Sequence, residues 1–265
     1  MLVAAAVCPC PPLLVPEIAT GAAPELDSAR AACLDAVGLL AAARPDRLYV
    51  VGPAPEGVHG VFPAGSAGSF AGFGVDLSVR LGEAPKGDRQ PGTDQPGTDQ
   101  PGTDQPSTAP AGTASSDDRP LPDSLAVGAW LLDRADWADA PIEGLGVDEA
   151  ATPGVCAGLG RALAASAERV ALLVMGDGSA CRTVKAPGYL DERAAGFDAE
   201  AARALGTADV AALLALDPEL AYELKVAGRA PWQVLAGAAE DTGLDGRLLF
   251  EDAPYGVGYF VAAWS

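Results

Sequence analysis

The sequence predicts an α/β protein, a three-layer α/β/α sandwich around a mixed, largely parallel sheet. First, short apolar runs alternate with segments whose apolar residues recur at helical spacing. Second, the run Val170 to Met175 is apolar at every position, which is typical of a central strand covered by helices on both faces. Third, Pro254 to Gly256 separates the last two apolar runs and is too short for a crossover, so those strands should be antiparallel.

Composition limits the class of protein. The chain has 265 residues, of which 49% are hydrophobic, and its formal charge is 17 − 36 = −19. This length can close a substantial apolar core, and we expect one domain over residues 1–265. A charge of this sign repels phosphate backbones and anionic headgroups, so we expect no nucleic-acid partner and no membrane attachment.

Cysteine usage indicates the compartment. Five cysteines are an odd and sparse set for this length, which disfavours a disulfide framework and favours the reducing cytoplasm. The apolar run at the start has no Lys or Arg before it and is too short for a signal sequence or a membrane span. We therefore interpret residues 2–8 as a buried strand.

A low-complexity segment interrupts the pattern at about residues 84–120. It contains PGTDQ three times in tandem, from Pro91 to Gln105, and no aromatic residue, Leu, Ile or Val. Such a segment cannot bury enough apolar surface to offset the roughly 1–2 kcal/mol per residue that ordering costs. It is predicted to be a disordered surface insert, with a binding role for the repeat as the alternative.

Before this insert the pattern predicts strand, helix, strand and strand. Leu2 to Cys8 and Leu48 to Val51 are apolar runs, whereas Ala71 to Leu81 alternates with the period of two of a half-exposed strand. The helix between the first two strands should end at Arg44-Pro45. Its apolar face consists of Leu26, Ala29, Cys33, Val37 and Leu40.

After the insert, helices and strands alternate again. Asp123 or Ser124 can cap a helix that carries Leu125, Ala129 and Leu132. Proline near the first turn predicts three further helix starts, at Thr152-Pro153, Asp217-Pro218 and Ala230-Pro231. The predicted strands are Gly144 to Val147, Val170 to Met175, Arg247 to Phe250 and Val257 to Ala262.

Four groups of reactive residues lie near predicted strand ends, where open α/β sheets usually bind ligands. Cys8-Pro9-Cys10 could contribute thiolates to a soft metal such as Zn(II), or could be a buried packing turn. His59 is the single histidine, so no site with several histidines can form. It is a candidate ligand or base, or a solvent-facing loop residue.

The other two groups follow the later strands. Residues 175–182 read MGDGSACR, where glycines permit an anion nest, Asp177 supplies an acid, and Ser179 and Cys181 are candidate nucleophiles. This segment lacks the spacing of a nucleophile elbow and of a P-loop, so a structural turn is the alternative. Glu251, beside Asp252, could be a metal carboxylate or a general base, or simply solvated.

Three segments together resemble the B-subunit-like group of class III extradiol ring-cleavage dioxygenases: VCPCPPLLVPE, LVMGDGSACRTVKAPGYLDERAAGFDAE and APYGVGYFVAAW. The similarity spans nearly the whole chain except the insert, and it is greater to the uncharacterised bacterial branch than to the ring-cleaving members. The resemblance implies an α/β/α sandwich and an aromatic ring-opening oxidoreductase.

The resemblance also implies a site of Fe(II) held by two histidines and a carboxylate, with a further histidine as acid and base. The matching positions here are Cys10, the region of Ala54 with His59 a few residues later, and Ala180. Glu251 is the matching carboxylate. A cysteine-based site would favour Zn(II) or no metal over Fe(II).

Three hypotheses about function follow. The first is an enzyme-like site of Cys10, Asp177, Ser179 and Glu251 that binds a small molecule and a metal. The second is a non-catalytic binding or scaffold protein that keeps the fold, and the third is a hydrolase or transferase that uses Cys10 or Cys181 as its thiolate. The family fold is compatible with a homodimer.

Overall fold

A computed structural model describes residues 1–19, 21–83 and 119–265. The insert predicted at about 84–120 therefore lies, except for its last two residues, outside the described residues. The strands are β1 (Leu2–Cys8), β2 (Arg47–Ala54), β3 (Gly60–Phe62), β4 (Ala67–Ser69), β5 (Ser78–Arg80), β6 (Ile142–Asp148), β7 (Val170–Met175), β8 (Gly246–Asp252) and β9 (Tyr259–Trp264). The helices are α1 (Asp27–Ala42), α2 (Asp123–Arg134), α3 (Pro153–Ala164), α4 (Arg193–Gly206), α5 (Val210–Leu214), α6 (Pro218–Glu223) and α7 (Arg229–Ala239).

Seven strands form one mixed sheet in the order β3-β6-β2-β7-β1-β9-β8. The four central strands, β6, β2, β7 and β1, are parallel, and β3 and β9 are added antiparallel at the two sides. β8 pairs antiparallel with β9 and so runs in the same direction as the central strands. The predicted antiparallel pairing of the last two strands is confirmed. The small pair β4 and β5 is separate from this sheet.

Helices cover both faces of the sheet, as an α/β/α sandwich requires. Ala4, Ala6 and Cys8 of β1 pack in one core with residues of α1 and α2. Ala5 and Val7 pack in the other core with residues of α3, α4 and α7. All six residues of β7 are buried, because this strand lies between β2 and β1 and beneath both helical layers.

Several predicted boundaries are confirmed. The strands Leu2–Cys8 and Val170–Met175 have the bounds that the pattern predicts, and α1 ends two residues before Arg44. Thr152 caps α3 by accepting the Val155 N–H at 3.4 Å, and Asp217 caps α6 by accepting the Glu219 N–H at 2.8 Å.

The prediction for Ala71 to Leu81 was wrong in its first part. Residues 71–73 form a 3-10 turn, which ends at Gly74 with a φ of 83°, and only Ser78–Arg80 is a strand. The left-handed conformation at Gly74 breaks the extended chain. The predicted cap of α2 also differs, because Pro122 occupies the N-cap and the Ser124 hydroxyl donates to the Pro53 carbonyl at 2.6 Å.

Two helices, α4 and α5, and the short strands β3 and β4 were not predicted from the sequence. The residues Ala194, Phe197, Ala201 and Leu205 of α4 do lie at helical spacing and are buried. No helix in the described ranges combines the length and the apolar character needed to cross a bilayer.

Candidate functional site

The candidate site lies at the carboxyl ends of the central parallel strands. The Gly176 N–H donates to the Cys8 carbonyl at 3.0 Å, which keeps the chain segments after β7 and β1 side by side. Cys10 follows β1 and Asp177 follows β7, so the topology brings these two predicted residues together. Antiparallel β9 begins at the same edge, with Tyr259.

Asp177 is the central group of this edge. Its Oδ1 accepts the Cys10 N–H at 2.8 Å, and its carbonyl accepts the Gly228 N–H at 2.8 Å. Burial raises the pKa of Asp177 to about 7, although the hydrogen bond from Cys10 acts in the opposite direction. The residue is half-buried, so its carboxyl group can exchange a proton near neutral pH.

The two nearest titratable groups keep their protons. Burial, followed by the negative charges of Asp177, Glu149 and Asp123, raises the pKa of the Cys10 thiol well above its usual range. Burial and the charge of Asp177 likewise raise the pKa of the Tyr259 phenol. Both side chains therefore offer neutral hydrogen-bond donors at neutral pH, and Cys10 is a poor thiolate nucleophile.

Two further carboxyl groups border this edge. Burial raises the pKa of Asp123, the first residue of α2. Burial and then the charge of Asp148 raise the pKa of Glu149, which follows β6. Carboxyl groups from three different elements thus lie at one edge of the sheet, and all three hold protons more strongly than in water.

Ser179 belongs to a different arrangement, centred on the buried Asp198 of α4. The Ser179 N–H and hydroxyl each donate to Asp198 at 2.8 Å, and Arg182 Nη1 donates to it at 2.9 Å. Gly178 and Gly258 leave room for this carboxylate, since a Cβ on Gly258 would lie 2.5 Å from Asp198 Oδ2. These bonds fix the turn after β7 and leave Ser179, which is buried, turned inward.

Cys181 is also buried within the fold. Its thiol donates to the Leu224 carbonyl at 3.5 Å, and burial followed by the charge of Asp191 raises its pKa. Cys181 packs in the core beneath α4 and α7, whereas Cys10 packs in the core beneath α1 and α2. The sheet therefore separates the two predicted thiol nucleophiles.

The three predicted metal ligands are not brought together. His59 is exposed and precedes edge strand β3, whereas Glu251 is exposed on the opposite edge strand, β8. Six strand spacings separate β3 from β8, which is about 29 Å. Cys10 lies between them, two strands away from β8.

The residues present do not fit the Fe(II) site that the resemblance implies. A facial triad needs two imidazoles and a carboxylate around one point, and the chain has a single histidine. Within residues 1–19, 21–83 and 119–265, no three His, Cys, Asp or Glu side chains are arranged to hold a metal ion.

Sequence reasoning missed Tyr259, Glu149 and Asp198. Tyr259 ends the segment that contains Glu251, but in that segment only the adjacent acids Glu251 and Asp252 were predicted to act as ligand or base. Asp198 lies in α4, which was not predicted, and its partner Ser179 lies 19 residues earlier. Only the three-dimensional arrangement joins them.

Comparison with known proteins supports the fold. No protein-family model matches the sequence, and no curated protein matches it either. Among solved structures, it is similar to the crystal structure of the uncharacterized protein JW3007 from Escherichia coli K12. The two chains share 16% identity with a TM-score of 0.53, and the match covers 99% of each chain. At this identity the likeness shows a shared α/β sandwich fold and no more.

Proposed function

We propose that the protein is a small-molecule enzyme with an extradiol-dioxygenase-like fold, in which Asp177 transfers a proton to or from a hydroxylated aromatic ligand. The observation that carries the proposal is the half-buried Asp177 at the carboxyl edge of the sheet, with a pKa of about 7. The aromatic class of ligand follows from the resemblance of the sequence to those dioxygenases.

The groups around Asp177 support acid–base chemistry. A general acid or base is most effective when its pKa lies near the working pH, which holds for Asp177 at neutral pH. The raised pKa values of Tyr259 and Cys10 keep both as proton donors toward a ligand oxygen. The raised thiol pKa values of Cys10 and Cys181 speak against the cysteine hydrolase or transferase.

The test is ligand binding by the full chain and by the D177N variant. Catechol and 3,4-dihydroxybenzoate are titrated at pH 6 and pH 8 and binding is followed by calorimetry. We expect both ligands to bind the wild type, with an affinity that changes through pH 7, and the D177N variant to bind about tenfold or more weakly and without that change.

The matched control is D252N, which removes a carboxyl group from the exposed end of β8. It should bind like the wild type. The proposal is overturned if neither ligand binds the wild type, or if D177N keeps the wild-type affinity and pH dependence.

A second candidate function is non-catalytic binding at the same edge. It is favoured by the commitment of Ser179 and Cys181 to hydrogen bonds inside the fold, which leaves no free nucleophile at either predicted position. Product analysis distinguishes the two candidates, because a binding protein would retain the Asp177-dependent affinity and convert neither ligand.

We place this function in the cytoplasm. All five cysteines are free and buried, which suits a reducing compartment. A homodimer, which the family fold allows, and the expected lack of affinity for nucleic acid are checked by light scattering and by a DNA-binding assay on the same preparation.

A further inference from the structure

A cavity of about 440 Å³ lies between the end of β6 and the loop that joins α6 to α7. Its lining includes Glu149, Tyr222, Glu223, Lys225 and Arg229. Gly228, whose N–H binds the Asp177 carbonyl, directly precedes Arg229. The volume lies within the range of small-molecule sites, roughly 300–1,000 Å³.

Arg229 is a buried cation held by neutral oxygens. It is 3% exposed, and its guanidinium donates to the carbonyls of Ala151 and Glu149 and to Gln233 Oε1. These three bonds use three of its five N–H groups. None of the ion pairs formed by the described residues involves Arg229.

A buried charge is normally paired, whereas the carboxylates of Glu149 and Asp148 act on Arg229 without an ion-pair contact, so this arrangement favours the binding of an anion. Burial lowers the pKa of Arg229, but a guanidinium loses its proton only far above neutral pH and stays cationic. Two N–H groups of a planar guanidinium match the two oxygens of a carboxylate.

The other charges of the cavity favour an anion as well. Lys225 is exposed and forms no ion pair with the described residues, and the uncapped N-terminus of α7 adds its positive dipole end. Glu223 is already paired with Arg193 at 2.7 Å. Of the two carboxylates in the lining this leaves Glu149, whose negative charge opposes the binding of an anion. Burial raises the pKa of Glu149.

We propose that this cavity binds a small organic carboxylate. The carboxylate lies against the free N–H groups of Arg229, Lys225 provides a second positive charge, and the apolar body of the ligand packs against Val226 and the ring of Tyr222. This inference stands independently of proton transfer at Asp177.

Calorimetry with benzoate, its uncharged counterpart benzamide, and inorganic phosphate tests the inference on the full chain. Benzoate should bind at least about tenfold more tightly than benzamide, because benzamide lacks the charge that Arg229 pairs. Equal affinities for benzoate and benzamide, no binding of benzoate, or binding of phosphate alone would each overturn the proposal.

Variants locate the site. R229K and K225M should each weaken benzoate binding, whereas E149Q should strengthen it by removing the opposing charge. K185M removes a lysine that does not line the cavity and should change nothing. If R229K fails to fold, K225M and E149Q still test the site, because an unchanged affinity for benzoate in both variants contradicts binding in this cavity. None of these substitutions alters Asp177, so failure here leaves the proposed function standing.

Discussion

Two aspartates near the end of β7 differ in what surrounds their carboxyl groups. Asp198 receives three donors, one of them the guanidinium of Arg182 at 2.9 Å, and serves to fix the turn. Asp177 receives a single N–H, from Cys10. Burial without an adjacent cation explains why the pKa of Asp177 is raised to about 7.

The pKa of Asp177 predicts a pH dependence of stability. Aspartate in the unfolded chain ionises near pH 3.9, whereas Asp177 in the folded chain ionises at about 7. The folded state therefore holds more protons between these values, so the free energy of unfolding falls as the pH rises through about 7. The contribution of Asp177 to the free energy of unfolding is complete below about pH 4 and is on the order of 4 kcal/mol.

Urea denaturation of the wild type and D177N from pH 4 to pH 8.5 checks this prediction. The difference in unfolding free energy between the two proteins should shift in favour of D177N as the pH rises, and should level off above about pH 7. D252N should run parallel to the wild type. A constant difference between the wild type and D177N across the range would contradict the raised pKa.

Single residues of the site could be located from sequence only in part. The expectation that strand ends converge correctly directed attention to Cys10 and Asp177, which are joined at 2.8 Å. Spacing in the sequence could not show that Asp177 and Ser179, two residues later, belong to separate hydrogen-bonded groups, because their partners come from different elements. One partner follows β1, and the other lies in α4.

Elements whose apolar residues are buried on both faces were the easiest to predict. β1 and β7 have the predicted bounds because a short apolar run followed directly by proline or glycine, here Pro9 and Gly176, favours a buried strand over a helix. The period of two in residues 71–81 was misleading, since Gly74 interrupts it. α4 was missed because its buried face consists largely of alanine, which gives little hydropathic contrast.

The contact between α3 and α7 depends on two glycines where the helix backbones meet. A Cβ on Gly160 would lie 2.0 Å from the Val234 carbonyl oxygen, and one on Gly237 would lie 2.3 Å from the Ala157 carbonyl oxygen. Backbone atoms cannot move aside as a flexible side chain can. α7 packs in the core that covers β2 and β7, so this contact positions the N-terminus of α7 near Asp177.

We predict that G160A destabilises the protein by about 1–3 kcal/mol or more, because the added methyl group forces the helices apart. G158A lies on the same helix, where a Cβ would meet only the end of Arg161 at 3.9 Å. It should be neutral or stabilise by up to about 1 kcal/mol, through the better helix propensity of alanine. Equal midpoints of the two variants in chemical denaturation would refute this account of the contact.

The sheet topology decides which predicted residues can meet. The parallel strands β6, β2, β7 and β1 bring their carboxyl ends to one edge, which gathers Glu149, Asp177 and Cys10. The edge strands β3 and β8 lie on opposite sides of the sheet and carry His59 and Glu251 apart. Strand order is not encoded in local periodicity, so the sequence predicted the edge correctly but not the separation across it.

The chain on both sides of the low-complexity segment is anchored to the residues at the start of β4. Leu81, before the segment, donates its N–H to the Ser66 carbonyl at 2.9 Å, and Leu121, after it, donates to the Ala67 carbonyl at 2.8 Å. Arg119 is held separately, by the carbonyls of His59 and Val61 at 3.0 Å each. Both flanks are thus anchored by backbone bonds to consecutive residues, which places them about two strand spacings, or 10 Å, apart.

Replacing residues 84–118 with about six glycine and serine residues should therefore leave the fold intact, because such a linker can reach roughly 20 Å. Shortening the loop lowers the entropic cost of closing it, so the free energy of unfolding should rise by about 1.5 kcal/mol. Chemical denaturation measures this change, and calorimetry with benzoate reports whether the cavity of Arg229 is preserved. A shortened protein that is less stable than the wild type would show that residues 84–118 contribute contacts to the folded state, contrary to the sequence-based expectation of an insert without a core.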